Sequence, residues 1–131
     1  MSVILRSLAF VLLGVSGSLL AGYDEGMSAY LRKDYETAVR EWRPLADQGE
    51  TRAQYQMGVL YMQGWGVQRD YLRALDFFRK AAYTGYRSAQ HNLAVMYEHA
   101  WGVERDYAQA AMWYRRAAEQ GEVQAMFMFN F

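Results

Sequence analysis

The sequence predicts an all-α protein, a short α/α superhelical solenoid of stacked antiparallel helix pairs. Three observations predict it. The phrase YMQGWGVQRDY, Tyr61 to Tyr71, returns as YEHAWGVERDY, Tyr97 to Tyr107, 36 residues later. Residues 53–88 laid over 89–124 are identical at 15 of 36 positions without a gap. Within each unit the apolar residues recur at helical spacing, as in Tyr71, Ala74, Leu75, Phe78, Ala81 and Ala82. A fixed period of about 20–50 residues marks a stacked-repeat architecture, because one unit cannot bury both its faces alone.

Residues 1–22 read as a secretory signal peptide: Arg6 early, an apolar run from Leu8 to Val15, then small residues to Ala21 and Gly22. The apolar run falls short of the roughly 20 residues of a membrane span. Tyr23 stands where a lipoprotein would need its Cys. The mature chain is expected to begin at Gly22 or Tyr23 with no stable membrane anchor. An uncleaved anchor or a buried first helix is the competing reading of the same residues.

Residues 23–52 form a first, divergent unit. Asp34, Tyr35, Ala38, Trp42, Ala46 and Gly49 align with Asp70, Tyr71, Ala74, Phe78, Ala82 and Gly85, then with Asp106, Tyr107, Ala110, Tyr114, Ala118 and Gly121. Its inter-helix stretch is shorter, nine residues from Gly26 to Tyr35 against thirteen from Gly58 to Tyr71. Pro44 lies inside the second helix and should bend it.

Residues 53–88 and 89–124 are the two regular units. In each, a first helix ends at a loop and a second begins at an aspartate cap, Asp70 or Asp106. Gly58, Tyr61, Trp65, Gly66, Tyr97, Trp101 and Gly102 are the other positions expected to shape the repeat. Trp65 and Trp101 should plug the seams between units, with Gly66 and Gly102 supplying positive dihedrals. Carbohydrate stacking is the alternative use of those indoles, and packing is favoured because they recur with the repeat. Residues 125–131 begin an incomplete third such unit, in which Phe129 should pack and Phe127 and Phe131 stay exposed.

At this point the residues resemble a known family. Ala-x-x-x-Met-Gly-x-x-Tyr-x-x-Gly-x-Gly-Val-x-x-Asp from Ala53, followed by Ala-x-x-Phe-x-Lys-Ala-Ala-x-x-Gly, is similar to the Sel-one-like repeat of the tetratricopeptide-like superfamily. The likeness covers residues 53–124, whereas Gly26, Tyr35 and Ala38 resemble the tetratricopeptide repeat itself. Ala94 and Ala100 depart from the pattern by replacing glycines, and Gln68 and Glu104 stand where a proline is common.

Composition narrows the chemistry. Fourteen basic side chains balance 14 acidic ones, so there is no basic stripe to neutralise nucleic-acid phosphates. The absence of Cys excludes disulfides and thiolate sites. Ser88 and His91 sit one helical turn apart, with no third group placed to orient the imidazole. His91 and His99 are two turns apart, too far to share a metal. No catalytic residue, metal site or cofactor is expected, and the protein is read as no enzyme.

What remains is a surface for holding something. The resemblance implies that the first helices of the units line a concave groove. That would place Tyr55, Val59 and Met62 beside His91, Val95 and Glu98, as ridges about 8–10 Å apart. Arg52, Ser88 and His99 would flank them, and Tyr23, Met27, Tyr30 and Leu31 would extend the groove. The implied function is an exported adaptor or scaffold, periplasmic or secreted, binding a protein or peptide partner. A periplasmic immunity or inhibitor protein that blocks a toxic enzyme stays open as the alternative.

Overall fold

The computed structural model describes residues 22–129, with side chains through residue 121. The expected leader and the side chains of Phe127, Phe129 and Phe131 therefore lie outside what is described. Among the described residues six helices follow one another: α1 over 22–31, α2 Tyr35–Asp47, α3 Thr51–Gln63, α4 Tyr71–Tyr83, α5 Arg87–His99 and α6 Tyr107–Phe129. No strand occurs among the described residues. Each helix from α2 onward packs on the next in chain order, giving an all-α solenoid of helix pairs.

Repeated caps set the helix boundaries. The Asp34, Asp70 and Asp106 carboxylates accept hydrogen bonds from the backbone N–H groups of Thr37, Arg73 and Gln109, satisfying donors the first turn would leave unpaired. Gly49 and Gly85 end α2 and α4 with φ of 95° and 96°. The following residues, Glu50 and Tyr86, donate back to the carbonyls of Leu45 and Ala81. These turns return the chain at once as the next helix. Helix α2 runs through Pro44 to Asp47 without a break.

Gly121 aligns with those two glycines, yet no turn forms there. Helix α6 continues through it to Phe129, joining what the repeat predicts to be two helices. A glycine inside a helix costs about 1 kcal/mol relative to alanine, and continuing keeps the hydrogen-bond ladder through the junction. The separate helix expected to open the incomplete unit at 125–131 is thus, to residue 129, an extension of α6.

The core is a file of alanines and large side chains along the seams. Trp42, Phe78, Met57, Leu60, Leu93, Met96 and Trp113 are its largest fully buried members. Close helix approach depends on glycine at two matching places. A Cβ on Gly58 would stand 2.7 Å from the Phe78 ring, and one on Gly26 would collide with the Trp42 indole.

Candidate interaction surface

The loop phrase has a definite structural use. The Trp65 ring stacks on Tyr35 of the preceding unit at 5.0 Å and 16°, and Trp101 stacks on Tyr71 at 5.6 Å and 7°. Gly66 and Gly102 follow with φ of 72° and 71°. A Cβ on either would meet the backbone of Tyr35 at 2.5 Å or of Tyr71 at 2.7 Å, so the loop needs glycine for room as well as for its dihedral. Asp70 and Asp106 donate their N–H groups to the carbonyls of Tyr61 and Tyr97, closing the loops.

Trp101, expected to be largely buried between stacked units, is half-buried. Its ring stacks with both Tyr71 and His99. The deeply buried tryptophans are instead Trp42 and Trp113.

A second pair of residues ties the units together. Gln54 and Gln90 are buried in the first turns of α3 and α5. Their amide groups donate to the carbonyls of Ala46 and Ala82, near the ends of α2 and α4. The identity of Gln54 and Gln90 across the alignment is visible in sequence, but the carbonyls they reach are set by the turns. Gln120 donates in turn to Gln90 Oε1 at 2.7 Å, whereas Gln54 Oε1 has no hydrogen-bond partner.

The residues expected to line the groove fall into two groups. Tyr55, Val59 and Met62 on α3 are half-buried and packed against the core, with Tyr55 between Phe78 at 5.8 Å and Tyr86 at 5.2 Å. Arg52 sets its guanidinium 4.0 Å from the Tyr23 ring centre and pairs with Glu50 at 3.1 Å. Tyr23 is buried, Met27 and Tyr30 are half-buried, and Leu31 is exposed. On α5, Ser88, His91 and His99 are exposed, and Val95 and Glu98 are half-buried.

Tyr114 on α6 brings the α5 residues together. Its hydroxyl donates a 2.6 Å hydrogen bond to Glu98 Oε2, and the His91 ring meets its own edge-on at 5.4 Å. Burial, then the bond to Glu98, pushes the Tyr114 hydroxyl up to about 12. Tyr114 occupies the position of Trp42 and Phe78, yet it is half-exposed while they are fully buried. Two differences accompany this: no described helix follows α6 to cover it, and position 94 carries Ala. Ala94 stands where Gly26 and Gly58 stand, and a β-carbon there takes up the room that Phe78 uses against Gly58. Both departures are legible in sequence, but their pairing across 20 residues is not.

The cluster offers hydrogen-bonding and aromatic groups held in fixed positions. A tyrosine with a raised pKa stays a neutral hydrogen-bond donor at ordinary pH. Among the described residues no three His, Cys, Asp or Glu side chains gather to hold a metal ion. No helix among them is long and apolar enough to cross a membrane.

The stacked helix pairs and their Trp-Gly seams define a helical-repeat protein of the solenoid class. Residues 51–86 and 87–122 each match the Sel1 repeat model, together more than half of the chain, which therefore belongs to the Sel1 repeat family. Proteins of this family are generally scaffolds for protein interaction. Two solved structures are similar. One is a protective antigen present in uropathogenic Escherichia coli strains that displays an SLR fold, 38% identical over 84% of this chain, with a TM-score of 0.75. The other is a Sel1 repeat protein from Oxalobacter formigenes, 35% identical over 79% of this chain, with a TM-score of 0.70. The chain spans 24% of the first and 42% of the second. No curated protein matches it.

Proposed function

We propose that this chain is an exported adaptor that holds a protein or peptide partner along its first helices, centred on His91, Val95 and Glu98. The observation that carries the reading is the Tyr114 hydroxyl bound to Glu98 at 2.6 Å with His91 against the same ring. Polar and aromatic groups are thereby held in place on rigid helices, which lowers the cost of ordering them when a partner binds. Val95 supplies apolar surface between them, and Tyr55, Val59 and Met62 continue the same face one unit earlier. Export is supported by the three-part pattern of residues 1–22. A protective antigen among the similar structures is in keeping with a place outside the cytoplasm.

The test is site-specific photo-crosslinking in cells, with the reactive group at Val95 and, as control, at exposed Tyr83 on α4. A discrete protein adduct at Val95, missing at Tyr83 and lost on His91→Ala with Glu98→Ala, supports the reading. An adduct that forms equally at both positions, or survives the double substitution, removes it.

A further inference from the structure

The loop of the first regular unit frames an open cavity of about 550 Å³, lined by Tyr61, Val67, Gln68, Arg69, Asp70 and Arg73. None of Tyr55, Val59, Met62, His91, Val95 or Glu98 lines it, so it is separate from the surface proposed above. Arg73 is held in place there. Its Nη1 donates to the Tyr61 hydroxyl at 3.1 Å, and its Nε pairs with Asp70 at 3.5 Å. A guanidinium has five N–H donors, so others remain for a ligand. Arg69 sets its guanidinium 5.3 Å from the Tyr71 ring centre and forms no ion pair with a described residue. Two arginines against one aspartate leave the lining with one net positive charge.

The repeat supplies its own comparison. The second loop closes in the same way, with the Asp106 N–H on the Tyr97 carbonyl as the Asp70 N–H is on that of Tyr61, and Arg105 stands in the place of Arg69. Two positions differ: Glu104 replaces Gln68, and Gln109 replaces Arg73. The Tyr97 hydroxyl is met instead by Arg79 from α4. One arginine against two acidic residues gives that loop one net negative charge. The change of sign at matched positions of one loop shape suits the first copy, and not the second, to an anion.

We infer that the cavity binds a carboxylate, the acidic side chain of a protein partner, gripped by Arg69 and Arg73. Guanidinium groups match the planar carboxylate with paired N–H donors. One carboxylate balances the single net charge, whereas a phosphate dianion exceeds it and is repelled by Asp70. The volume lies in the roughly 300–1,000 Å³ range of ligand pockets. That is more than a bare carboxylate needs, and Val67 offers apolar contact to the stem of the residue that carries it.

The test is an NMR titration of the isotope-labelled full chain at low ionic strength, where exposed charges are least screened. The probe is a glutamate flanked by glycines, acetylated and amidated so that its side chain carries the only charge. Its glutamine analogue, acetate and inorganic phosphate are the comparisons. Saturable shifts of the Arg69 and Arg73 Nε–Hε signals are expected with the glutamate peptide and not with the glutamine one. Arg73→Gln, which copies the second loop, should weaken binding at least about tenfold. Gln68→Glu should weaken it at least about threefold. Gln68 is exposed, so circular dichroism of that variant should match the parent. Glu104→Gln should leave the affinity unchanged. No saturation with the glutamate peptide, equal binding of its glutamine analogue, or unchanged affinity in Gln68→Glu overturns the site. Acetate binding as tightly as the peptide would assign the cavity to a free small carboxylate, and tighter binding of phosphate would assign it to a phosphate group. Either result overturns the partner side chain.

Discussion

The Phe78 ring lies so close over Gly58 that a β-carbon there would sit 2.7 Å from two of its ring carbons. The contact joins α3 to α4 within one unit, and Phe78 is fully buried in it. Gly58→Ala therefore forces either the ring or the helix to move. Overpacking of this kind costs about 1–3 kcal/mol, and alanine's better helix propensity recovers no more than about 1 kcal/mol. A net loss of about 1–2 kcal/mol in urea unfolding is expected. Unchanged stability would mean that the two helices can separate freely.

Position 100 offers the opposite change. Ala100 ends α5 in the left-handed region at φ 59°, where Gly64 ends α3 at φ 73°. A β-carbon in that region costs about 1–2 kcal/mol. Glycine relieves it but loses about 0.5–1 kcal/mol through its more flexible unfolded chain. Ala100→Gly should stabilise the protein by about 0.5–1 kcal/mol, seen as a higher thermal midpoint. A lower midpoint would show that the Ala100 side chain makes contacts outweighing the strain.

Tyr114 gives the surface a pH signature. Its folded-state pKa is raised to about 12, above the ordinary tyrosine value of 10.0. The folded state thus binds this proton more tightly than the unfolded state does. The associated stability is fully present below pH 10 and is lost as pH rises through about 12. Burial also raises Tyr30 and Tyr86, but the tyrosinate absorbance component that titrates near pH 12 should be removed by Tyr114→Phe and moved to lower pH by Glu98→Gln. A component near pH 12 that persists in Tyr114→Phe would assign it elsewhere.

What could be read from the sequence was whatever recurs. Asp34, Asp70 and Asp106 recur as caps, and Gly66 and Gly102 recur beneath Trp65 and Trp101, so the helix pairs and their seams follow from the 36-residue period. The exceptions were visible as letters but not as consequences. Ala94 departs from the pattern, yet the aromatic that the repeat register pairs with it, Tyr114, is twenty residues away on another helix. Gly121 keeps the pattern, yet α6 passes through it, because a glycine permits a turn without compelling one. Gln54 and Gln90 match across the repeat, but their use depends on carbonyls that only the folded turns present.

Trp101 and Trp113 separate seam from core. Trp113 is 2% exposed, meets Tyr83 edge-on at 5.3 Å and carries the Arg116 guanidinium 4.8 Å from its ring centre. Trp113→Ala removes a fully packed side chain and should cost about 3–5 kcal/mol. Trp101 is half-buried, so only part of its area leaves water on folding. Half of the roughly 1.5–3 kcal/mol of a fully buried large apolar side chain, plus about 0.5–1.5 kcal/mol for the stack on Tyr71, gives about 2 kcal/mol for Trp101→Ala. Trp101→Phe keeps a ring over Tyr71 and should recover part of that loss, while Gly102→Ala should be at least as damaging as Trp101→Ala. The reason is the Tyr71 backbone, 2.7 Å from the added β-carbon, together with the positive dihedral of Gly102. Urea unfolding of the four variants checks the order. If Trp101→Ala proves as costly as Trp113→Ala, the loop carries the seam and the half-exposed indole is worth far more than its area. If it costs nothing, the stack on Tyr71 does not hold the units together, and the Gln90 bond to the Ala82 carbonyl becomes the leading tie between them.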